Sequence, residues 1–236
     1  MTVGDTLQDP GATTHDKGDW TFTQNIAGLP EGQVRSILGY AGESLVIGRA
    51  LACGYNLFFK AWRDSKYDAV LDTGGQLFRI EIKQSGDGSQ ISCTSGGRSG
   101  AQISRDAASR EEVLSPEESD FLIGVHTFSG KCWIVPTEVI YFRNRKTNPT
   151  WSLEDYEEKW SVFSKPPFGF SLEEIRLGFR NQSLDELRKT AIRVGLKTEP
   201  NLDYKFTPRS QAAKLLSDRE WYILEIWKQI FTSLEL

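Results

Sequence analysis

Two short runs of residues on either side of a glycine turn restrict the fold of this chain more than any other feature. Residues 67–72 and 76–83 are strand-like, and the turn at residues 73–75 reads Thr-Gly-Gly. Glycine supplies the positive φ angles that tight hairpin turns require. In the second run apolar and charged residues alternate, which places one face of that strand against a core. The other face carries Arg79, Glu81 and Lys83.

Further elements on both sides of this hairpin predict an α/β fold. Residues 37–54 carry apolar side chains at steps of three and four and end at a glycine, which is typical of a helix. Residues 55–62 are rich in aromatic side chains and predict a first strand. Residues 121–125 and 131–135 predict a second hairpin, and Pro136 marks the start of the helix that follows it.

The last third of the chain has the start signals of helices. Three serines each precede a glutamate by three residues, the spacing of a capping box. These pairs are Ser171 and Glu174, Ser183 and Glu186, and Ser217 and Glu220. Thr207-Pro208 predicts a further helix start. We therefore expect an N-terminal arm at residues 1–35, an α/β core at residues 36–147 and a helical extension at residues 148–236.

Composition excludes several classes of protein. Of the 236 residues, 39% are hydrophobic and 25% are charged, as in ordinary globular domains. No apolar stretch approaches the roughly 18 residues that a membrane helix needs, so we expect no membrane partner. The N-terminus lacks a signal peptide pattern, and the three cysteines lie far apart without metal-site spacing, which indicates a cytoplasmic protein. The formal net charge of −4 excludes a uniformly basic nucleic-acid binder.

Four charged residues form the pattern that carries chemistry. A helical glutamate, Glu43, precedes Asp68 at the hairpin, and Glu81 and Lys83 lie on one face of the second hairpin strand. Hydrolysis of a phosphodiester needs a metal held by carboxylates, a water activated on it and a positive group beside the phosphate. The backbone carbonyl of Ile82 is a further candidate ligand, because Mg²⁺ prefers oxygen ligands.

This arrangement resembles the PD-(D/E)XK nuclease superfamily, and within it the group I intron-associated (homing) endonuclease family. The resemblance runs from about Leu38 to Tyr141, which is under half of the chain. The D…ExK pattern alone is weak, but its order between a helix glutamate and a strand that ends in proline is more specific. The residues that carry it are Gly42-Glu43, Ser65-Lys66-Tyr67-Asp68, Asp72-Thr73-Gly74-Gly75, Leu77–Lys83 and Cys132–Pro136.

The resemblance implies a restriction-endonuclease-like core, with a mixed central β-sheet flanked by helices, and a C-terminal helical extension. It implies that Asp68 and Glu81 are metal ligands and that Glu43 completes the metal shell directly or through water. Lys83 would stabilise the charge that develops on the phosphate or orient the attacking water. The superfamily's proline before the aspartate is Tyr67 here.

The activity that the resemblance implies is site-specific cleavage of double-stranded DNA, of the restriction or homing type. The cofactor would be Mg²⁺, with Mn²⁺ able to substitute, and the enzyme would be a homodimer or homotetramer. Two alternatives remain open: a structure-specific nuclease of the Holliday-junction resolvase type, and a non-catalytic DNA-binding protein on a degenerate nuclease fold. Each charged residue alone also has an ordinary explanation as a solvated or surface-paired side chain.

Candidate DNA contacts come from two basic stretches and from the hairpin. Residues 86–110 form a long Gly/Ser/Thr-rich stretch, predicted to be a loop. Residues 176–214 hold nine Lys or Arg against four Asp or Glu, and helices with such an excess can contact phosphates. Ordinary surface charges explain the first stretch equally well, whereas for the second we favour DNA contact over a solvated helix face. The candidate residues are Lys66, Gln84, Arg98, Arg105, Arg110, Arg188, Lys189 and Arg193.

Overall fold

A mixed five-stranded sheet lies at the centre of the computed structural model, which describes residues 28–60, 65–95, 111–196 and 217–234. Its strand order is β1-β2-β3-β7-β8, and only the β3–β7 pair is parallel. Two small antiparallel sheets pair β4 with β9 and β5 with β6. The strands are β1 (Asn56–Phe59), β2 (Ala69–Asp72), β3 (Leu77–Ser85), β4 (Gln90–Ser92), β5 (Thr94–Ser95), β6 (Glu112–Val113), β7 (Phe121–His126), β8 (Cys132–Pro136) and β9 (Thr147–Pro149).

Helices flank this sheet, so the predicted α/β architecture with a mixed central sheet is confirmed. Within the described ranges, no helix combines the length and apolar character that crossing a membrane requires. The helices are α1 (Glu31–Ala52), α2 (Thr137–Arg143), α3 (Leu172–Leu177), α4 (Leu184–Arg193) and α5 (Asp218–Thr232). Short 3₁₀ helices span Thr150–Tyr156, Trp160–Phe163 and Pro167–Gly169.

The first helix is longer than its apolar spacing predicts. It begins at Glu31 rather than near Ile37, because Pro30 provides an extended N-cap and the first turns need no buried apolar face. Its end is as predicted. Gly54, at φ +85°, donates its N–H to Leu51, and Tyr55 donates to Ala50, which is the hydrogen-bond pattern of a Schellman motif.

The predicted first hairpin is confirmed as β2 and β3. Ala69 pairs with Ile80 and Asp72 with Leu77, so the register follows the predicted alternation. The turn uses Gly74 at φ +79°, and the Asp72 carboxylate accepts a hydrogen bond from the Gly74 N–H at 2.8 Å. Asp72 therefore stabilises the turn, as its position in the sequence predicts.

The stretch after β3 is more structured than predicted. Residues 86–110 were expected to form a loop, but the described part contains β4 and β5, and β4 pairs with β9. Ile91 of β4 packs directly over Gly124 of β7, where a Cβ atom would lie 2.2 Å from the Ile91 Cδ1. Strands of two or three residues leave too short a pattern to recognise in sequence. Residues 96–110 lie outside the described ranges.

Parts of the chain after residue 147 pack against the sheet. Phe163 lies 4.9 Å from Phe121 and 5.1 Å from Phe78 between ring centroids, and Trp227 lies 6.3 Å from Phe121. These aromatic side chains form one buried cluster with the sheet. The predicted boundary between residues 147 and 148 falls within β9.

The capping boxes predicted before α3, α4 and α5 are all present. In each, the serine hydroxyl accepts from the backbone N–H of the glutamate, and the glutamate carboxylate accepts from the backbone N–H of the serine. The helix start predicted at Thr207-Pro208 lies outside the described ranges.

A buried carboxylate joins α2 to the last helix. Glu138 is 3% exposed and accepts hydrogen bonds from the Phe179 N–H, at 3.0 and 3.1 Å, and from the Trp227 Nε1–H, at 2.6 Å. Gly178, at φ +66°, passes so close that a Cβ atom would lie 2.7 Å from the carboxylate. Burial raises the pKa of Glu138, and these donors oppose that rise.

Removal of this acceptor should destabilise the protein. Glu138→Leu leaves two buried donors without a partner and should lower the free energy of unfolding by about 3 kcal/mol, measured by urea denaturation. Glu138→Gln keeps one acceptor oxygen and should lose clearly less. Equal losses for the two variants, or none for the leucine variant, would contradict this role.

Candidate active site

A close helix contact places Glu43 next to the hairpin. Gly42 of α1 packs onto β3 and β7, where a Cβ atom would lie 3.2 Å from both Gln84 Cβ and Val125 Cγ1. Glycine therefore permits α1 to approach the sheet at this point without a shift of its neighbours. Glu43 follows directly and is half-buried beside the residues described next.

Asp68 precedes β2 and is held by both neighbouring strands. Its backbone donates to Ile80 at 2.9 Å and accepts from the Lys60 N–H at 3.0 Å, which continues the sheet by one residue. Its carboxylate Oδ2 accepts from the Ile82 N–H at 3.0 Å, and Oδ1 accepts from the Lys60 Nζ at 2.7 Å. The aspartate is thus fixed in position before any ligand arrives.

Glu81 and Lys83 lie together, as their alternation on β3 predicts. The Lys83 Nζ is 2.5 Å from Glu81 Oε1, and Glu81 is only 6% exposed. The third charge of this face, Arg79, serves another purpose. Its side chain and backbone N–H bind the Asp120 carboxylate, and its guanidinium also donates to the carbonyls of Pro116 and Glu117. Arg79 therefore stabilises the turn that precedes β7.

Burial and crowded negative charge govern the acids of this site. Burial raises the pKa of Glu81 to about 7; the nearby Lys83 opposes the rise, and the charge of Asp68 adds to it. Burial also raises the pKa of Glu43, with Asp68 again adding to the shift, while Lys60 and Lys83 oppose it. Asp68 and both lysines therefore act on both glutamates.

Lys60 is the site residue that the sequence did not reveal. Burial by itself lowers its pKa, but the hydrogen bond to Asp68 and the charges of Asp68, Glu81 and Glu43 together raise it. The only signal in the sequence is a lysine directly after an aromatic strand. Its meaning depends on the pairing of β1 with β2, because Phe59 pairs with Ala69 and this register sets Lys60 opposite Asp68.

The three carboxylates have the chemistry of a magnesium site, but two of them, Asp68 and Glu81, are paired with lysines. Carboxylate oxygens are the ligands that hard divalent cations prefer. As they stand, however, no three Asp, Glu, His or Cys side chains among the described residues lie close enough together to hold a metal ion. Lys60 and Lys83 instead hold one oxygen each of Asp68 and Glu81. Ile82 contributes its N–H to Asp68, and a role for its carbonyl remains a prediction.

Comparison with known proteins shows only weak likeness in structure. No family model matches the sequence, and no curated protein matches it. Among solved structures, that of a bacterial homing endonuclease, I-Ssp6803I, is similar with 16% sequence identity and a TM-score of 0.43. The likeness covers 54% of this chain and 91% of the homing endonuclease chain. At this level it establishes no activity, and the candidate site depends on its own geometry.

The predicted DNA-contacting residues are placed unevenly. Lys66 is exposed near the site and pairs with Glu118 at 3.1 Å. Gln84 packs against Gly42 of α1. Arg188 and Lys189 are both exposed on α4, and Arg188 pairs with Asp185 at 3.2 Å. The residues outside the described ranges are Arg98, Arg105 and Arg110.

Arg193 has a structural role in addition to the one predicted from sequence. Its guanidinium lies 3.9 Å from the ring centroid of Phe170, donates to the carbonyls of Phe168 and Gly169, and pairs with Glu174 at 2.9 Å. These contacts hold the 3₁₀ turn before α3 against the end of α4. Contact of Arg193 with DNA remains a prediction.

The buried Glu81 should make stability depend on pH in a defined direction. Its pKa is about 7 in the folded protein against an ordinary value of 4.5, so the folded state gains a proton first as pH falls. The contribution of Glu81 to stability therefore increases from pH 8 to pH 5, by roughly 2 to 3 kcal/mol. Glu81→Gln removes this pH dependence. The free energy of unfolding of the variant minus that of the native protein should therefore be larger at pH 8 than at pH 5 by the same amount.

The measurement is urea denaturation at both pH values in the presence of a chelator. Glu173→Gln is the control, because Glu173 is exposed and the pKa of its carboxyl is lowered by the hydrogen bond from Arg176. The difference in free energy of unfolding between Glu173→Gln and the native protein should be the same at both pH values. If the Glu81→Gln difference is equally constant, Glu81 does not carry a raised pKa.

Proposed function

We propose that this protein is a Mg²⁺-dependent endonuclease that cuts double-stranded DNA at specific sites, of the restriction or homing type. The observation that carries the proposal is the placement of Asp68 across the hairpin from Glu81, with Lys83 in contact with Glu81. Carboxylates beside a lysine on a fixed strand pair are what metal-assisted phosphodiester hydrolysis requires. The order of these residues in the chain also fits the resemblance noted from sequence.

Each residue has a proposed role. Asp68 and Glu81 would hold the cation, with Glu43 as a direct or water-mediated ligand and the Ile82 carbonyl as a further one. A bound Mg²⁺ would supply an activated water and positive charge beside the phosphate. Lys83, once separated from Glu81, carries a positive charge that can stabilise the developing negative charge on the phosphate. Mn²⁺ is expected to substitute for Mg²⁺.

Exposed basic side chains on the described surface support a DNA substrate. Lys66 lies two residues before Asp68 and is 74% exposed, and a phosphate would compete with Glu118 for its ammonium. Arg188 and Lys189 place positive charge on the exposed side of α4. Contacts of this kind with phosphates bind DNA without reading its sequence. Cleavage of both strands would require two active sites, which a homodimer or homotetramer supplies.

Cleavage of plasmid DNA tests this proposal. With Mg²⁺ the native protein should cut, and Asp68→Asn should reduce the rate by about 10²-fold or more, since a metal ligand supports several kcal/mol of transition-state stabilisation. Asparagine can still accept the Ile82 N–H, so the hairpin should persist. Asp72→Asn is the matched control: it alters the aspartate at the far end of β2, whose carboxylate accepts a hydrogen bond within the turn. It should cut like the native protein.

Two results would reject the proposal. One is an Asp68→Asn variant that cuts as fast as the native protein, which would place the chemistry elsewhere. The other is retention of DNA without cleavage in either Mg²⁺ or Mn²⁺, the behaviour of a non-catalytic binding protein. Preference for four-way junctions over duplex DNA would instead identify a structure-specific nuclease of the resolvase type.

A further inference from the structure

Lys60 donates a hydrogen bond to one of the two carboxylate oxygens of Asp68, and the fold determines the position of this lysine. Its backbone N–H donates to the Asp68 carbonyl at 3.0 Å, which fixes where its side chain begins. Its ammonium then lies 2.7 Å from Asp68 Oδ1. The resemblance noted from sequence assigns no role to this lysine. The pairing of β1 with β2 fixes the backbones of both Lys60 and Asp68. Their side-chain contact is therefore a consequence of the fold.

The two oxygens of Asp68 differ in how readily they can change partners. Oδ2 accepts from the Ile82 N–H, a backbone donor within β3 that cannot move without disturbing the strand. Among the described residues, Oδ1 accepts a hydrogen bond only from the flexible side chain of Lys60. A cation that binds Asp68 through Oδ1 therefore has to replace the Lys60 ammonium.

The Lys60 pair is also the more exposed of the two lysine pairs in the site. The exposed fractions of its side chains are 30% for Lys60 and 17% for Asp68, against 25% for Lys83 and 8% for Glu81. A released Lys60 ammonium can enter water directly, so its release leaves no buried unpaired charge. Exchange at Asp68 is therefore easier than exchange at Glu81.

We propose that Lys60 is the resident counter-ion of Asp68 and that a divalent cation must displace it to bind. This proposal depends on the cation site proposed above and adds a residue that opposes binding there. In the cation-free protein Lys60 balances the charge of three nearby acids. Cation and ammonium then compete for Asp68 Oδ1, so Lys60 stabilises the free protein and lowers its affinity for metal.

Binding of Mn²⁺ and Mg²⁺ to the full chain, measured by calorimetry without DNA, tests this competition. Lys60→Met removes the competitor and should lower the dissociation constant for Mn²⁺ roughly three- to tenfold. Thermal unfolding in a chelator should show a less stable variant, and saturating Mn²⁺ should reduce that deficit. A lysine with a purely structural role would lower stability without tightening the binding of metal.

Two further variants serve as controls. Lys60→Arg keeps the charge and can bind a carboxylate with two parallel hydrogen bonds, so its affinity for Mn²⁺ should equal that of the native protein or be weaker. Lys131→Met removes a comparable lysine–carboxylate pair, with Glu157 at 2.8 Å, elsewhere on the surface. It should leave the affinity for metal unchanged.

The possible results separate the two proposals. If the native protein binds Mn²⁺ and Lys60→Met binds it no more tightly, the counter-ion role is wrong while the cation site stands. The same conclusion follows if Lys60→Arg or Lys131→Met binds as tightly as Lys60→Met. If neither Mn²⁺ nor Mg²⁺ binds to the native protein at millimolar concentration, the proposed metal-dependent function itself fails.

Discussion

The Asp68 carboxylate connects three strands, and the candidate site depends on that connection. One oxygen accepts from β3, the other accepts from the lysine that follows β1, and the backbone of Asp68 leads into β2. These hydrogen bonds bring Lys60 and Glu81 to one end of the antiparallel half of the sheet. The negative charges of the three acids repel one another, since Asp68 raises the pKa of both Glu43 and Glu81. Charge balance by Lys60 and Lys83 is therefore a condition for the arrangement.

Much of the site could be predicted from sequence because it lies in one short hairpin. The turn fixes the register between β2 and β3, and the strand period then fixes which side chains share a face. Asp68, Glu81 and Lys83 follow from those two rules alone. Glu43 entered only through its order in the pattern and the resemblance, and its place beside the hairpin depends on the close approach of α1 at Gly42.

The rest depends on contacts that join residues without a local pattern. Lys60 belongs to the site only because β1 pairs with β2. Arg79 belongs to the charged face by its spacing, yet it forms an ion pair with Asp120 and not with Glu81. Arg193, in a basic helix, stacks on Phe170 instead of simply facing solvent. In each case a partner on another element of the fold decides the role of a charge, and the local residue pattern contains no information about that partner.

Location of the cation tests the central claim most directly. Crystals of the full chain soaked in Mn²⁺ should show an anomalous difference peak beside the carboxylates of Asp68 and Glu81, with the Lys60 ammonium no longer in contact with Asp68. A peak at another group of acids, or undisturbed pairs of Lys60 with Asp68 and Lys83 with Glu81 at saturating Mn²⁺, would contradict the assignment of this hairpin as the metal-binding active site.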